Sequence, residues 1–135
     1  MTDRALVLGL VALVGLIFLG FLNWYRARMV GGPERLDVED FGLELMEGCC
    51  AFIVFTSETC RPCKAAIRIV RAAADRTSGL TEVRLVDAIE RADIATRYGV
   101  RSIPTVFLIT ASGHVVRRWA SVPAAEDVTR TLETV

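Results

Sequence analysis

The sequence predicts an α/β protein with a central mixed β-sheet flanked by helices, preceded by one N-terminal transmembrane helix. Three observations lead to this fold class. One long apolar segment lies near the start, strand-like and helix-like segments alternate after it, and a turn signal late in the chain predicts an antiparallel hairpin. The 135 residues leave room for one small domain beside the apolar segment.

The apolar segment comprises 18 residues, Ala5–Leu22, without a charged, amide or hydroxyl side chain. As a helix it spans about 27 Å, and Trp24 and Tyr25 extend it into the interfacial zone of a bilayer. A signal peptide usually has a shorter apolar run and a small-residue cleavage site, whereas bulky and basic residues follow here. We therefore expect an uncleaved single-pass anchor.

The charges that flank the anchor predict its orientation. Arg26, Arg28 and Arg35 follow the apolar segment, whereas Arg4 precedes it. The positive-inside rule therefore favours a domain on the cytoplasmic side, although the difference is small and an extracytoplasmic domain stays open. The 16 basic and 16 acidic residues of the chain are mixed along it, so we expect no nucleic-acid partner.

Chain breakers suggest three parts. Residues 1–30 form the anchor with its flanks, and Gly31-Gly32-Pro33 opens a linker with a first element over residues 31–48. A short strand and a helical turn are expected within residues 35–45. Residues 49–135 form the predicted α/β domain.

The first strand of this domain is predicted at Cys50–Phe55, a continuous apolar run typical of a strand buried on both faces. Beyond a polar break, Cys63, Ile67 and Val70 recur at helical spacing, which predicts a helix that ends before Ser78.

The remaining elements follow from turn signals and apolar patterns. Leu80–Val86 predicts a second strand, with Leu85 facing away from Val86, and Glu90–Tyr98 predicts a short helix. A strand at 105–109, a turn at 111–113 and a strand at 114–119 predict a hairpin, and a last helix opens near Pro123. The expected order is β-α-β-α-β-β-α.

The strongest functional signal is the pair Cys60 and Cys63 at the start of the first domain helix. Free amide groups and the positive end of the helix dipole stabilise a thiolate at Cys60, the predicted nucleophile. Cys63 lies one turn further in and is the predicted resolving cysteine. Arg61 and Lys64 add positive charge, and Pro62 occupies a first-turn position where proline is tolerated.

These residues resemble the thioredoxin family, and the resemblance extends from about Ala51 to the C-terminus. The segment from Thr59 to Lys64 is similar to the family's x-Cys-x-Pro-Cys-Lys signature, and Phe55 matches its preceding strand. About 40 residues later, Tyr98–Thr105 is similar to the family's Tyr-Gly-Ile-Arg-Gly-Ile-Pro-Thr segment.

The resemblance implies a thioredoxin-like fold and a protein-disulfide oxidoreductase. It implies a cis Pro104 beside the cysteines and a substrate groove formed by Ile103, Pro104 and Thr105. No cofactor beyond the redox-active Cys60–Cys63 disulfide is expected. The implied partners are protein thiols or disulfides and a second dithiol that donates or accepts electrons.

Four positions depart from the family pattern. Val54 stands where the family has a buried acid, and Arg84 is expected at the position of a lysine that often partners it. Thr59 replaces the tryptophan before the first cysteine, and Ala120 replaces a glycine on the substrate-facing surface. These changes predict slower deprotonation of the resolving cysteine and a less aromatic docking surface.

Alternatives to a general membrane-bound oxidoreductase remain open. One is an extracytoplasmic reductase for cytochrome c maturation or exported thiols, and another is a non-catalytic thioredoxin-like binding module. A metal site is not expected, because the only histidine, His114, is predicted on a distant hairpin. Cys49 and Cys50 are expected to be small hydrophobic residues about 20 Å or more from the active site.

Overall fold

The structure is a computed structural model that describes residues 2–30 and 32–135. Gly31, part of the predicted breaker, lies outside the described residues, as do the side chains of Arg26 and Arg28. The chain divides into two compact units, Met1–Gly32 and Pro33–Val135.

The first unit is one helix, α1, which runs from Thr2 to Val30. Its segment Asp3–Tyr25 is apolar and long enough to cross a membrane, and none of it is buried. A signal sequence near the N-terminus passes the same test of length and composition, so α1 is a candidate membrane span on these two properties alone.

The second unit contains a four-stranded mixed sheet with the strand order β2-β1-β3-β4. The β1 and β2 strands are parallel, whereas β1–β3 and β3–β4 are antiparallel. The strands are β1 Cys50–Thr56, β2 Thr81–Asp87, β3 Thr105–Thr110 and β4 Val115–Trp119. The helices are α2 Arg61–Asp75, α3 Ala92–Arg97 and α4 Ala125–Glu133. The predicted fold class and element order are confirmed.

Strand β1 lies inside the sheet and explains the continuous apolar run. Phe52 and Val54 belong to the hydrophobic cluster that includes Val70 of α2 and Val128 of α4. The alternate residues Ile53 and Phe55 belong to a second cluster with α3. Since successive side chains of a strand point to opposite faces, a strand covered on both sides needs an apolar residue at every position.

The second cluster includes residues that precede β1. Leu36, Phe41 and Leu43 are buried in it, and Phe41 lies in a 3-10 turn at Val38–Phe41. The backbone of this segment is fixed to the β3–β4 hairpin, because the Leu36 N–H donates to the Gly113 carbonyl at 2.8 Å. The segment from residue 36 therefore packs as part of the domain core.

Strand β2 shows the expected alternation of Leu85 and Val86, but Arg84 does not lie at its expected place. The strand lies at the sheet edge, and its buried residue is Val86, whereas Leu85 is 38% exposed. Arg84 does not lie beneath Val54, because it pairs in register with Ile53 and its side chain donates to the Gly42 carbonyl at 3.3 Å. An edge strand is covered incompletely, so its apolar residues do not report which face is buried.

Candidate active site

The two cysteines of the motif are joined as a disulfide with an S–S distance of 2.07 Å and a Cα–Cα distance of 5.3 Å. Cys63 is fully buried, whereas Cys60 is partly exposed. Only one sulfur of the disulfide is therefore open to a reagent or a partner protein.

The start of α2 positions this pair. Cys60 is the N-cap residue with extended backbone dihedrals, and its Sγ accepts a hydrogen bond from the Cys63 N–H at 3.3 Å. Pro62 lies in the first turn, where its missing N–H leaves no hydrogen bond unmade. The same backbone donors would face a thiolate once the disulfide is reduced.

The surroundings of the pair are basic on the outside and apolar beneath. Thr59, Arg61 and Lys64 are exposed, and the first turn of α2 contains no acidic residue. Val54 is fully buried in the cluster beneath α2. The site therefore offers cations near the outer sulfur but no carboxylate at position 54.

The segment Ile103-Pro104-Thr105 lies at the same end of the sheet as the cysteines. Thr105 opens β3 and pairs with Phe55 near the end of β1, the strand that leads into the motif. The Ile103–Pro104 peptide bond is cis, Ile103 is half-buried, and Pro104 is buried. The fully buried Thr105 hydroxyl donates to the Ser102 carbonyl at 2.6 Å.

Contacts from β4 and the residue after it hold the loop that leads into this segment, and sequence reasoning did not find them. The Ser102 hydroxyl donates to the Ala120 carbonyl at 3.3 Å, and the Arg118 guanidinium donates to the Gly99 carbonyl at 2.8 Å. Burial, together with the charge of Arg101, lowers the pKa of Arg118. No local sequence signal marks these contacts, because their partners are 18 and 19 residues apart.

Cys49 and Cys50 lie at the other end of β1. Cys50 is buried and Cys49 is partly exposed, and neither forms a disulfide. Burial, with a smaller effect of Cys49, raises the pKa of the Cys50 thiol. Within residues 2–30 and 32–135, no group of three or more His, Cys, Asp or Glu residues is placed to hold a metal ion.

Comparisons with known proteins agree with this geometry. A sequence model described as Thioredoxin matches residues 34–133 of the chain. The match includes the cysteine pair, Pro104 and the 3-10 turn before β1.

Three similar solved structures show the same fold. A mutant thioredoxin from Halobacterium salinarum NRC-1 is 22% identical with a TM-score of 0.61, and the alignment covers 74% of this chain and 85% of that one. Thioredoxin-2 of the malaria parasite, described as a component of its protein secretion machinery, is 16% identical with a TM-score of 0.60 and coverages of 67% and 86%. A second malarial protein is 15% identical with a TM-score of 0.58 and coverages of 64% and 96%.

Proposed function

The chain belongs to the thioredoxin family, and from this we propose that it is a protein-disulfide oxidoreductase that works at a membrane. Its thioredoxin domain carries a bonded cysteine pair, an arrangement that supports thiol–disulfide exchange in general. The observation that carries the proposal is the unequal burial of Cys60 and Cys63 at the start of α2.

In the reducing direction, the Cys60 thiolate attacks one sulfur of a substrate disulfide. An S–S bond forms between Cys60 and the substrate, and the other substrate sulfur leaves as a thiolate. Cys63 then loses its proton and attacks the Cys60 sulfur, which releases the second substrate thiolate and forms the Cys60–Cys63 disulfide. Two electrons pass to the substrate, whose two thiolates take up protons, and a second dithiol protein restores the reduced pair.

The exposure of each sulfur supports these roles. A substrate disulfide is a bulky electrophile, so the attacking sulfur needs an open approach, which Cys60 has. Cys63 meets only the Cys60 sulfur during resolution and can remain buried. Because position 54 holds Val54 and no acid, the Cys63 proton must leave through water or the departing thiolate.

We assign the substrate groove to Ile103, Pro104 and Thr105. The half-buried Ile103 is available to a substrate chain, and its backbone would offer strand-like hydrogen bonds beside Cys60. Thr59, Arg61, Pro62 and Lys64 complete the proposed site as supporting residues, the two cations stabilising the thiolate and Pro62 shaping the first turn.

Helix α1 is the basis for proposing that the protein works at a membrane. We propose that Ala5–Leu22 spans the bilayer once and keeps the domain beside membrane-bound or membrane-recruited partners. Flanking charges favour the cytoplasmic side. Protease accessibility of a C-terminal tag in sealed vesicles tests the side, since protection in right-side-out vesicles supports a cytoplasmic domain and cleavage supports the extracytoplasmic reductase.

Insulin reduction by the full chain tests the activity. We expect the wild-type protein with dithiothreitol to reduce insulin faster than the Cys60→Ser variant, which retains the background rate of dithiothreitol alone. Equal rates for both proteins would leave only the binding module, a function favoured by Val54 and Thr59 at two positions where this chain departs from the family. Trapping with Cys63→Ser then captures the natural partner as a mixed disulfide.

A further inference from the structure

Helix α2 carries a line of cations that begins inside the redox motif. Arg61, Lys64, Arg68 and Arg71 follow each other at spacings of three, four and three residues, which places them on one face of a helix. We call these four residues the basic stripe. All four are exposed, and in the part of the chain that the structure describes none of them forms a salt bridge.

The charge of this face contrasts with that of the domain. From residue 33 onward the chain has 13 basic and 15 acidic residues, whereas α2 has four basic residues and one acidic residue, Asp75. Cations in a first helical turn oppose the helix dipole, and α2 has no acidic residue there to compensate. Arg61 and Lys64 therefore do not serve the stability of the helix.

An open groove lies beside the basic stripe, between α2 and the edge strand β2. Its volume is about 530 Å³, and its apolar lining includes Ile67, Ala72 and the partly exposed Leu85. Lys64 and two arginines of the stripe line the same groove and outnumber its one carboxylate, Asp75. A partner that fits it combines apolar residues with acidic ones.

We propose that the basic stripe and this groove dock protein substrates that carry acidic residues beside their reactive cysteine. The inference rests on the proposed function and adds the substrate class. A protein fits better than a lipid surface, because the stripe starts between Cys60 and Cys63. A bilayer lying on it would cover the sulfur that the substrate must reach, whereas an acidic substrate segment would bring its own sulfur there.

The test compares two disulfide peptides that differ only in Glu or Lys residues flanking their cysteines. Fully reduced, full-length protein in a neutral detergent reacts with each peptide at low salt, and the rate of loss of protein thiols is measured. We expect the wild type to react about 10-fold faster with the acidic peptide, in the range of electrostatic steering, and about equally with both in 1 M salt.

Two double charge reversals give the matched comparison. The variant Arg68→Glu/Arg71→Glu should prefer the basic peptide, while Arg76→Glu/Arg130→Glu, which reverses two exposed cations outside the stripe, should keep the wild-type ratio. Because the rates with the two peptides are compared within each protein, a general loss of activity in a variant does not affect their ratio.

Two outcomes would overturn the inference. One is equal wild-type rates for both peptides, and binding of anionic lipid vesicles through the stripe would then indicate a lipid surface as its partner. The other is a preference for the acidic peptide that survives reversal of the stripe. If neither peptide reacts faster with the wild type than with Cys60→Ser, the proposed function itself fails.

Discussion

At the scale of residues, the two sulfurs of the motif differ in their surroundings although one helical turn holds both. Cys60 caps α2 and is partly exposed, whereas Cys63 packs into the protein without exposed surface. Arg61 is exposed directly after Cys60 and is the cation nearest in sequence to the outer sulfur. This charge favours a thiolate and so favours the reduced pair.

We predict that Arg61→Gly makes the disulfide less oxidising. Loss of the cation destabilises the thiolate and therefore the reduced form, so the reduction potential of the pair should fall by about 10–30 mV. Equilibration with glutathione measures it, and Arg61→Lys, which keeps the charge, should stay within about 10 mV of the wild type. Equal potentials for all three proteins would show that Arg61 does not act on the cysteines.

Sequence reasoning reached the residues whose chemistry depends on local spacing. Cys60, Cys63 and Pro104 were identified from motifs as candidate site residues, because two intervening residues and an Ile-Pro-Thr segment are visible in the linear sequence. Arg84 was misplaced, because the face on which a side chain of β2 lies is set by its pairing with β1. The Arg118 contact with Gly99 depends on hairpin geometry and has no local signal.

At the scale of elements, the 3-10 turn before β1 is joined to α3 by a polar cluster. The Tyr98 hydroxyl donates to the Asp40 carboxylate and accepts from the Asp37 N–H, and Arg97 forms an ion pair with Asp40 at 2.7 Å. The hydrogen bond from Tyr98, followed by the contacts of Arg97, lowers the pKa of Asp40. Burial, and then the hydrogen bond to Asp40, raises the pKa of Tyr98.

These two shifts define a pH window for the stability of the domain. Because the folded-state pKa of Asp40 is lowered, its contribution is present above the unfolded value and is lost as the pH falls through the folded one. The raised pKa of Tyr98 gives a contribution that is present below its unfolded value and is lost at higher pH. We predict that Tyr98→Phe lowers the free energy of unfolding by about 1–2 kcal/mol at pH 7.

Amide hydrogen exchange in β1 measures this free energy. The difference between Tyr98→Phe and the wild type should shrink as Asp40 becomes protonated at low pH. A difference that is the same at pH 3 and pH 7 would contradict the role of the Asp40 carboxylate.

Gly113 provides a second prediction for the attachment of the first segment. It has φ of 81°, and an added Cβ would lie 2.1 Å from the Leu36 carbonyl oxygen. Gly113→Ala should therefore lower the free energy of unfolding by about 3 kcal/mol, and Gly48→Ala, with φ of 84° and open space, by about 1 kcal/mol. Hydrogen exchange in β1 measures the free energy of unfolding of both variants. Similar decreases in the two would mean that backbone strain at positive φ, and not the close approach to the Leu36 carbonyl, causes the destabilisation.

The elements were predictable to the extent that their patterns are periodic. The apolar run at β1 and the spacing in α2 were confirmed within one or two residues of their ends. The alternation in β2 was predicted, but not which face is buried, because only one neighbour strand covers this edge and Leu85 remains partly exposed. The hydrogen bonds of the 3-10 turn to Tyr98 join residues about 60 positions apart and are invisible to a local pattern.

At the scale of the whole molecule, the chain combines a membrane-length helix with one thioredoxin domain. The helix has no buried face within Asp3–Tyr25, and in the proposed topology lipid contacts its apolar surface in place of water. The length and composition of this segment were readable from the sequence. Its topology was not, because signal sequences share both properties and the flanking charges differ little.

We predict that Leu13→Arg/Leu16→Arg removes the protein from membranes. Each arginine near the middle of a span costs about 2.5–3.5 kcal/mol on the insertion scale, so two of them oppose insertion strongly. The wild type and Leu13→Ala/Leu16→Ala should stay in the membrane fraction after carbonate extraction, while the arginine variant should not. A wild-type protein that is found soluble and shortened by cleavage after α1 would contradict the anchor.

The ionisation of Cys60 in the reduced, folded protein tests the central claim most directly. The rate of alkylation by iodoacetamide, measured against pH with Cys63→Ser and Cys60→Ser as references, gives its pKa. We predict a pKa for Cys60 at least one unit below the value of about 8.5 of a free cysteine, because helix amides and two cations favour its thiolate. A pKa at or above 8.5, with insulin reduction unchanged when both cysteines are replaced by serine, would contradict the account.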